Sequence, residues 1–401
     1  MLALSLLACV IAASASLPAA AASDRDGDGL SDRAERRYRT DPTRKDTDRD
    51  GLTDGREVHK TKTNPRKKDT DSDTLSDGRE VLRTKTNPRK KDTDGDTWAD
   101  NVEIIRRTNP RNSFDPCPLT GLRAPRGAGR YATSVVVDNA PTSRPQAGLE
   151  KAEVVIEHPV EGGLTRFAAV YGCHEATTVG PVRSARFDSK QIVEPFTNSL
   201  AYSGANDIVQ AHLDEVGLVD FTEQTALTAF SRTTEPAPDN LYVDVTKLPN
   251  TPVVGRPYRF GKPQGGTAAQ QVTLNFGGTG TVQWQFTEGR WVRSESGVTS
   301  VDRVGNPIEA NNVLVQVIDV LHSRSLFDAA GNPSPDFKFG RGGVAHLFRE
   351  GRVITGVWTV SPGFIRLRTT TGKRLRLAIG RTWVEMVPSQ AGDLKGTVSF
   401  G

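Results

Sequence analysis

Apolar positions fall along this chain in three rhythms. From Met1 to Leu17 they dominate a run that contains no acid or base. From Asp24 to about residue 115 they thin to two places per repeat: Leu30, Leu52, Leu75 and Trp98 at one, Val58, Val81 and Ile104 at the other. After Cys117 apolar runs return. Val135-Val136-Val137 and Val154-Val155-Ile156 predict short buried strands, the second stopping before Pro159. Ile192, Phe196 and Leu200 recur at helical spacing, with Pro195 confined to a first turn. Ile208, His212 and Val216 do the same before Gly217, which ends that helix. Beyond about residue 270, Val282, Trp284 and Phe286 alternate with polar residues toward a Thr287-Glu288-Gly289 turn. Residues 353–357 and 365–379 repeat that hairpin logic around Glu350-Gly351 and Thr371-Gly372. The expected class is α+β, with a mixed α/β domain over 117–262, a mostly antiparallel β domain over 263–401, a repeat arm over 23–116 and a leader over 1–22.

The leader reads as an export signal. Its apolar run is too short for a convincing membrane span, and Ala20-Ala21-Ala22 offers a small-residue cleavage site before Ser23. It has no basic n-region, which leaves an upstream start open. Leu6-Leu7-Ala8-Cys9 loosely resembles a bacterial lipobox, although Leu7 is large for its place. A lipid anchor on Cys9 therefore stands beside plain secretion, and membrane contact is expected only through the signal or such an anchor.

The arm carries the most specific chemistry. Four acidic loops begin at Asp24, Asp46, Asp69 and Asp92, a repeat of 22 or 23 residues. Each places carboxylates at loop positions one, three, five, nine and twelve: Asp24, Asp26, Asp28, Asp32 and Glu35; Asp46, Asp48, Asp50, Asp54 and Glu57; Asp69, Asp71, Asp73, Asp77 and Glu80; Asp92, Asp94, Asp96, Asp100 and Glu103. Hard oxygens at this spacing suit Ca²⁺, and without the ion five carboxylates repel in one short loop. A helix capping box accounts for the last two positions but does not require Asp at the first three. Gly29 and Gly51 occupy position six as an EF-hand loop requires, whereas Thr74 and Thr97 replace them later. After a twelve-residue loop only eleven residues remain, and they end in Thr-Asn-Pro at Thr63, Thr86 and Thr108. No length is left for an entering helix. The pattern over residues 24 to about 115 resembles the bacterial thrombospondin type 3 repeat, which implies calcium binding and a stalk whose stability comes from stacked neighbours and ions. Even spacing of four loops suits a rod better than a dockerin-like plug.

Charge adds to this. Residues 24–115 hold 22 acids and 23 bases, so bound calcium would turn the arm cationic, able to lie on an anionic wall polymer or membrane surface; equally, the bases can simply offset the loop acids between ions. Nucleic acid is not expected as a partner, since aromatics are nearly absent from the arm and the whole chain carries only +4.

Cys117 and Cys173 follow the leader's Cys9. In an oxidising compartment they either pair or remain two buried free thiols. Cys173-His174-Glu175 alone is a weak zinc signal.

Several ordered motifs then resemble the YerB-type bacterial lipoproteins: 117–122 (Cys-Pro-Leu-Thr-Gly-Leu), 137–141 (Val-Asp-Asn-Ala-Pro), 144–149 (Arg-Pro-Gln-Ala-Gly-Leu), 161–167 (Glu-Gly-Gly-Leu-Thr-Arg-Phe) and 179–186 (Val-Gly-Pro-Val-Arg-Ser-Ala-Arg). The segments 312–316 and 380–384 resemble that family's second domain. The resemblance implies an envelope-exposed α+β domain followed by a second domain, in a family without an established biochemical role. One departure is Asp239 after Ala237-Pro238, where the family usually carries histidine.

The candidate anion site is Arg144, Arg166, Arg183 and Arg186, near Asp138, Glu157 and Glu161. Guanidinium forks suit carboxylate or phosphate, and they equally suit internal pairing with those acids. No nucleophile elbow, phosphate loop or zinc signature stands out. The preferred expectation is noncatalytic: a calcium-stiffened arm presenting a head that binds a cell-wall or envelope polymer, or an envelope protein. The alternative is an enzyme acting on an anionic envelope glycopolymer, with Glu161 as general acid or base and the arginines holding charge.

Overall fold

The computed structural model describes residues 23–95, 98–106, 109–112, 117–122, 124, 131–249, 251, 257–263, 265–278, 280–361 and 364–401. The leader and Asp96 lie outside these. The chain divides into two units, Met1–Ser113 and Phe114–Gly401.

In the first unit each acidic loop feeds one short helix. These are Asp32–Tyr38; Asp54–Arg56, running on as a π-helical turn Glu57–Thr61; Asp77–Arg79, running on as Glu80–Thr84; and Asp100–Arg106. The Ser31, Thr53 and Ser76 hydroxyls cap the first three by accepting from Ala34, Arg56 and Arg79 N–H groups. Arg39, Lys62 and Lys85 end them in the left-handed region. Among the described residues no helix runs directly into a loop: those ending at Tyr38, Thr61 and Thr84 stop well before the next loops begin at Asp46, Asp69 and Asp92. Leu30, Leu52 and Leu75 are the buried apolar residues of the first three loops.

The second unit is organised by one 11-stranded sheet. Its path runs Phe364–Thr369, Arg352–Ser361, Gly343–Arg349, Asn312–Ile318, Thr382–Pro388, Val154–Pro159, Thr165–Tyr171, Thr133–Asp138, Ser199–Ala201 and Val219–Phe221, with Thr267–Ala268 paired to Arg352–Ser361. Both halves divided by sequence near residue 262 thus contribute to one sheet. They join where Thr382–Pro388 lies parallel between Asn312–Ile318 and Val154–Pro159. The later half is otherwise mostly antiparallel.

The unbroken apolar runs follow from burial on both faces of this sheet. Val136, Val154, Ile156, Leu314 and Val384 enter one core with Ile192, Phe196, Val209 and Leu213. Val135, Val137, Val155, Val313 and Trp383 enter the other with Val272, Leu274, Trp284 and Trp291 of a second, six-stranded sheet. The helix expected from Ile192, Phe196 and Leu200 is shorter than its spacing implies. It covers Ser189–Val193, and Leu200 lies in the strand Ser199–Ala201. Pro195, having no N–H, cannot extend the turn. The second expected helix forms over Asp207–Glu215.

Candidate functional site

Backbone N–H groups shape the acidic loops before any ion is considered. Asp46 accepts from Arg49 N (2.7 Å) and Gly51 N (3.0 Å), and Asp69 accepts from Ser72 N (2.6 Å) and Thr74 N (2.9 Å). Thr74 adopts φ 79° where the earlier loops place glycine, which such a side chain tolerates only in a tightly held turn. In three clusters, Asp24/Asp26/Asp28, Asp46/Asp48/Asp50 and Asp69/Asp71/Asp73, one oxygen from each side chain lies within 4.8 Å of the others.

A further cluster crosses repeats. Asp50 and Glu57 of the second loop meet Asp77 of the third, again within 4.8 Å. One candidate cage is thus formed by two neighbouring loops, beside the three formed within single loops. The position-nine aspartates also brace their own loops: Asp54 accepts from Thr47 N and Oγ1 (2.9 and 2.6 Å), Asp77 from Thr70 (2.8 and 2.6 Å) and Asp100 from Thr93 (2.9 and 2.6 Å). The repeats dock through position five, where Asp28 Oδ2 accepts from Gly55 N and Asp50 Oδ2 from Gly78 N, both at 2.6 Å. Sequence reading missed the glycines at position ten, although Asp-Gly recurs at 54–55 and 77–78. A Cβ at Gly55 would stand 2.5 Å from Asp28 O, and one at Gly78 2.1 Å from Asp50 O.

The carboxylates present fit a divalent cation. Buried oxygens of Asp26, Glu35, Asp48, Glu57, Asp71, Asp73 and Glu80 have no hydrogen-bond partner, an expensive condition unless a cation meets them. Burial, with crowding by neighbouring aspartates, pushes Glu35 up to about 7 and Asp48 to about 6. Burial likewise carries Glu57 and Glu80 to about 8 against hydrogen bonds from Thr63 and Thr86.

The four sequence-predicted arginines are held by the protein's own acids. Arg144 pairs with Glu295; Arg166 lies 3.9 Å from Asp138; Arg183 reaches Asp138 at 2.9 Å and Asp239 at 2.6 Å; Arg186 Nε reaches both Glu161 oxygens at 2.7 and 2.8 Å. Of the two readings left open by the sequence, an anion cradle or internal pairing, these contacts are those of internal pairing. Arg144 alone among them borders a cleft of about 540 Å³, shared with Asp239, Tyr242 and Arg303. Glu161 is buried and also accepts from Ser334 Oγ at 2.6 Å. Burial would raise its pKa, but Arg186 and Ser334 outweigh that and hold it below the ordinary glutamate value, the wrong direction for a general acid. Cys117 and Cys173 are joined, with Cα atoms 6.1 Å apart.

Residues 24–45 and 46–68 match the bacterial TSP3 repeat. Residues 119–253 and 272–384 match the N-terminal and C-terminal domains of a family described as proteins of unknown function, DUF3048. A lipoprotein candidate named YerB, from Bacillus subtilis (strain 168), is 30% identical over 296 residues, which span 68% of this chain and 86% of that protein. The chain belongs to the YerB family. The crystal structure of YerB from Bacillus subtilis superimposes with a TM-score of 0.60 at 28% identity, covering 70% of this chain and 98% of that one.

Two features of this YerB-family head bear on its site. Asp239, after Ala237-Pro238, accepts from Arg183 Nη2 (2.6 Å) and from the Ser143 hydroxyl (2.7 Å), so its carboxylate ties these two segments together. Deeper, Arg293 gathers Glu157, Glu295 and Ser300, while Trp284 Nε1 donates to Glu385 at 2.7 Å. Glu157 was noticed in sequence as an acid near the arginines. Its main partner, 136 residues away, was not.

Proposed function

We propose that the arm binds calcium and, so ordered, presents the YerB-family head at the cell envelope, where the head binds an envelope polymer or an envelope protein without catalysing a reaction on it. The observation that carries this is the set of buried carboxylate oxygens without partners recurring in the first three loops, alongside acidic clusters within and across repeats. Cations would cancel the repulsion that otherwise loosens these loops, coupling uptake to order. The lipoprotein description of the Bacillus subtilis relative supports an extracytoplasmic, envelope-associated setting, reached by the leader with or without a lipid on Cys9. Among the described residues no helix is long and apolar enough to cross a membrane.

Calorimetric titration of calcium into chelator-stripped full chain, read with far-ultraviolet circular dichroism, tests the arm. Saturable heat and a gain of structure are expected. No heat up to millimolar calcium together with a spectrum indifferent to EDTA would refute calcium ordering. Pull-down on purified wall fragments, with and without chelator, tests the head; absence of binding in both conditions refutes envelope binding.

A further inference from the structure

The arginines of the early head are tied to acids, but a second set is not. Strand Phe364–Thr369 is an edge of the large sheet, and beyond the turn at Gly372 the chain folds back along it: Thr369 N donates to Lys373 O (2.7 Å) and Leu375 N to Leu367 O (3.0 Å), with Arg368 paired across from Arg374. Alternation then sorts this hairpin strictly. Leu367, Leu375 and Leu377 are buried, while Arg366, Arg368, Arg374 and Arg376 are all exposed. A third segment adds to the same face, since Leu377 N donates to Arg259 O (2.7 Å) and Gly261 N to Leu377 O (3.0 Å), bringing exposed Arg259 alongside.

Arg259, Arg366, Arg368 and Arg374 line a groove of about 510 Å³ that the buried residues Tyr258, Leu367 and Leu375 also border. Among the described residues none of these four, nor Arg376, has a carboxylate within 4.0 Å. The hydroxyl of Tyr258, a buried residue bordering the groove, has no partner. Folding does not ask for this arrangement. Like charges directly across a strand pair destabilise it, and any polar residue would satisfy the alternation. One charge would also suffice to guard an edge strand against aggregation.

Resting on the proposal that the head binds an envelope polymer, we infer that this groove is the binding site and that its ligand is a linear polymer bearing phosphate groups. Arg366 and Arg368 lie two residues apart on one strand, about 6.8 Å, so they meet successive charges of a chain. Arg368 and Arg374 approach one anion from opposite strands; a phosphate presents its oxygens tetrahedrally, so two forks can meet it from different sides, whereas a carboxylate presents two oxygens in one plane. A membrane surface fits less well, because Tyr258, Leu367 and Leu375 beside the groove are buried and offer no projecting anchor.

The test uses the full chain, with linear inorganic polyphosphate as probe, read by fluorescence anisotropy across a salt series. The wild type binds, and the triple variant Arg366→Gln/Arg368→Gln/Arg374→Gln binds at least tenfold more weakly, its slope of log K against log salt smaller by about 2. Arg→Lys at the same three positions keeps the slope and loses part of the affinity. Unchanged thermal melts show that the variants fold. Wild-type polyphosphate affinity in the glutamine variant overturns the inference and leaves the arginines as an edge guard. So does a glutamine variant that still pulls down on wall fragments, in which case envelope binding stands without this groove. Loss of binding to phosphatidylglycerol vesicles alone, or preference for single-stranded DNA over polyphosphate, also overturns it. A wild type that pulls down on no wall fragment refutes the underlying envelope reading itself.

Discussion

Arg293 Nη2 lies 2.9 Å from Glu157 Oε2, and neither side chain is more than 2% exposed. The pair joins Arg290–Glu295 of the second sheet to Val154–Pro159 of the first, so it ties the later half of the head to the earlier. The Phe167 and Trp383 rings, packed edge to face against each other, both lie against the guanidinium, 5.5 and 5.6 Å from its carbon to their ring centres. Breaking one side of such a pair is costly because the remaining charge stays buried. Arg293→Met should therefore destabilise the head by about 3–5 kcal/mol, with both halves unfolding together in denaturant. A loss below about 1 kcal/mol, or separate transitions for the two halves, would show that the node does not couple them.

The arm's weakest point should be a glycine that binds nothing. Gly78 approaches Asp50 so closely that Gly78→Ala must separate two repeats, while every carboxylate remains. Calcium affinity is expected to fall at least tenfold, about 1.4 kcal/mol, measured by calorimetry. Arg56→Ala, at an exposed position, should leave it unchanged. Equal affinities for Gly78→Ala and wild type would mean that each loop closes on its own ion.

The loops were legible because their carboxylates fall within twelve consecutive residues, where spacing alone fixes neighbours. Gly78 was not, since its partner lies 28 residues back and only stacking brings the two together. The same divide runs through the head. Runs such as Val135-Val136-Val137 announced strands buried on both faces, yet nothing local says that Thr382–Pro388 inserts beside Val154–Pro159. Arginine chemistry was visible at Arg183, but its partner Asp239 lies 56 residues on. Leu200 kept helical spacing with Ile192 and Phe196 although the chain had already turned into a strand. The alternation of arginine and leucine over 365–377 was open to reading, and attention to its apolar half alone hid the charged face.

Cys117 and Cys173 close a loop across 56 positions. Glu153, buried beneath, accepts from Gly172 N (2.8 Å) and Cys173 N (3.0 Å), which fixes the turn carrying the second cysteine. Loop-closure entropy for that length corresponds to about 4 kcal/mol on the chain-entropy model. Cys117→Ser/Cys173→Ser should lose roughly that much in denaturant unfolding, and reductant should reproduce the loss in wild type. Nonreducing mass spectrometry should find neither thiol alkylated; alkylation of both without reductant would remove the cross-link from the account.

His158 and Asp188 flank one ring, Phe337, and should pull stability in opposite directions with pH. The imidazole meets Phe337 edge-on at 6.0 Å, and Asp188 Oδ2 accepts from Phe337 N at 3.1 Å. Burial lowers His158 from 6.5 to about 4, helped by Arg166 and Arg186 and opposed by the Pro159 carbonyl and Glu161. The folded state then binds fewer protons at this site, so its contribution is present above 6.5 and is lost as pH falls toward 4. Burial raises Asp188 from 3.8 to about 7, with Asp336 adding and Phe337 N–H and Lys338 opposing. Here the folded state binds more protons, and the contribution present below 3.8 is lost as pH rises through 7. Between pH 7 and pH 5 the first costs about 2 kcal/mol and the second returns about as much, so the wild-type profile should be nearly flat from these two. His158→Leu should gain about 2 kcal/mol relative to wild type over that interval, and Asp188→Asn should lose a similar amount. Chemical denaturation at both pH values reads the two differences; parallel profiles for wild type and both variants would show that neither group changes protonation on unfolding.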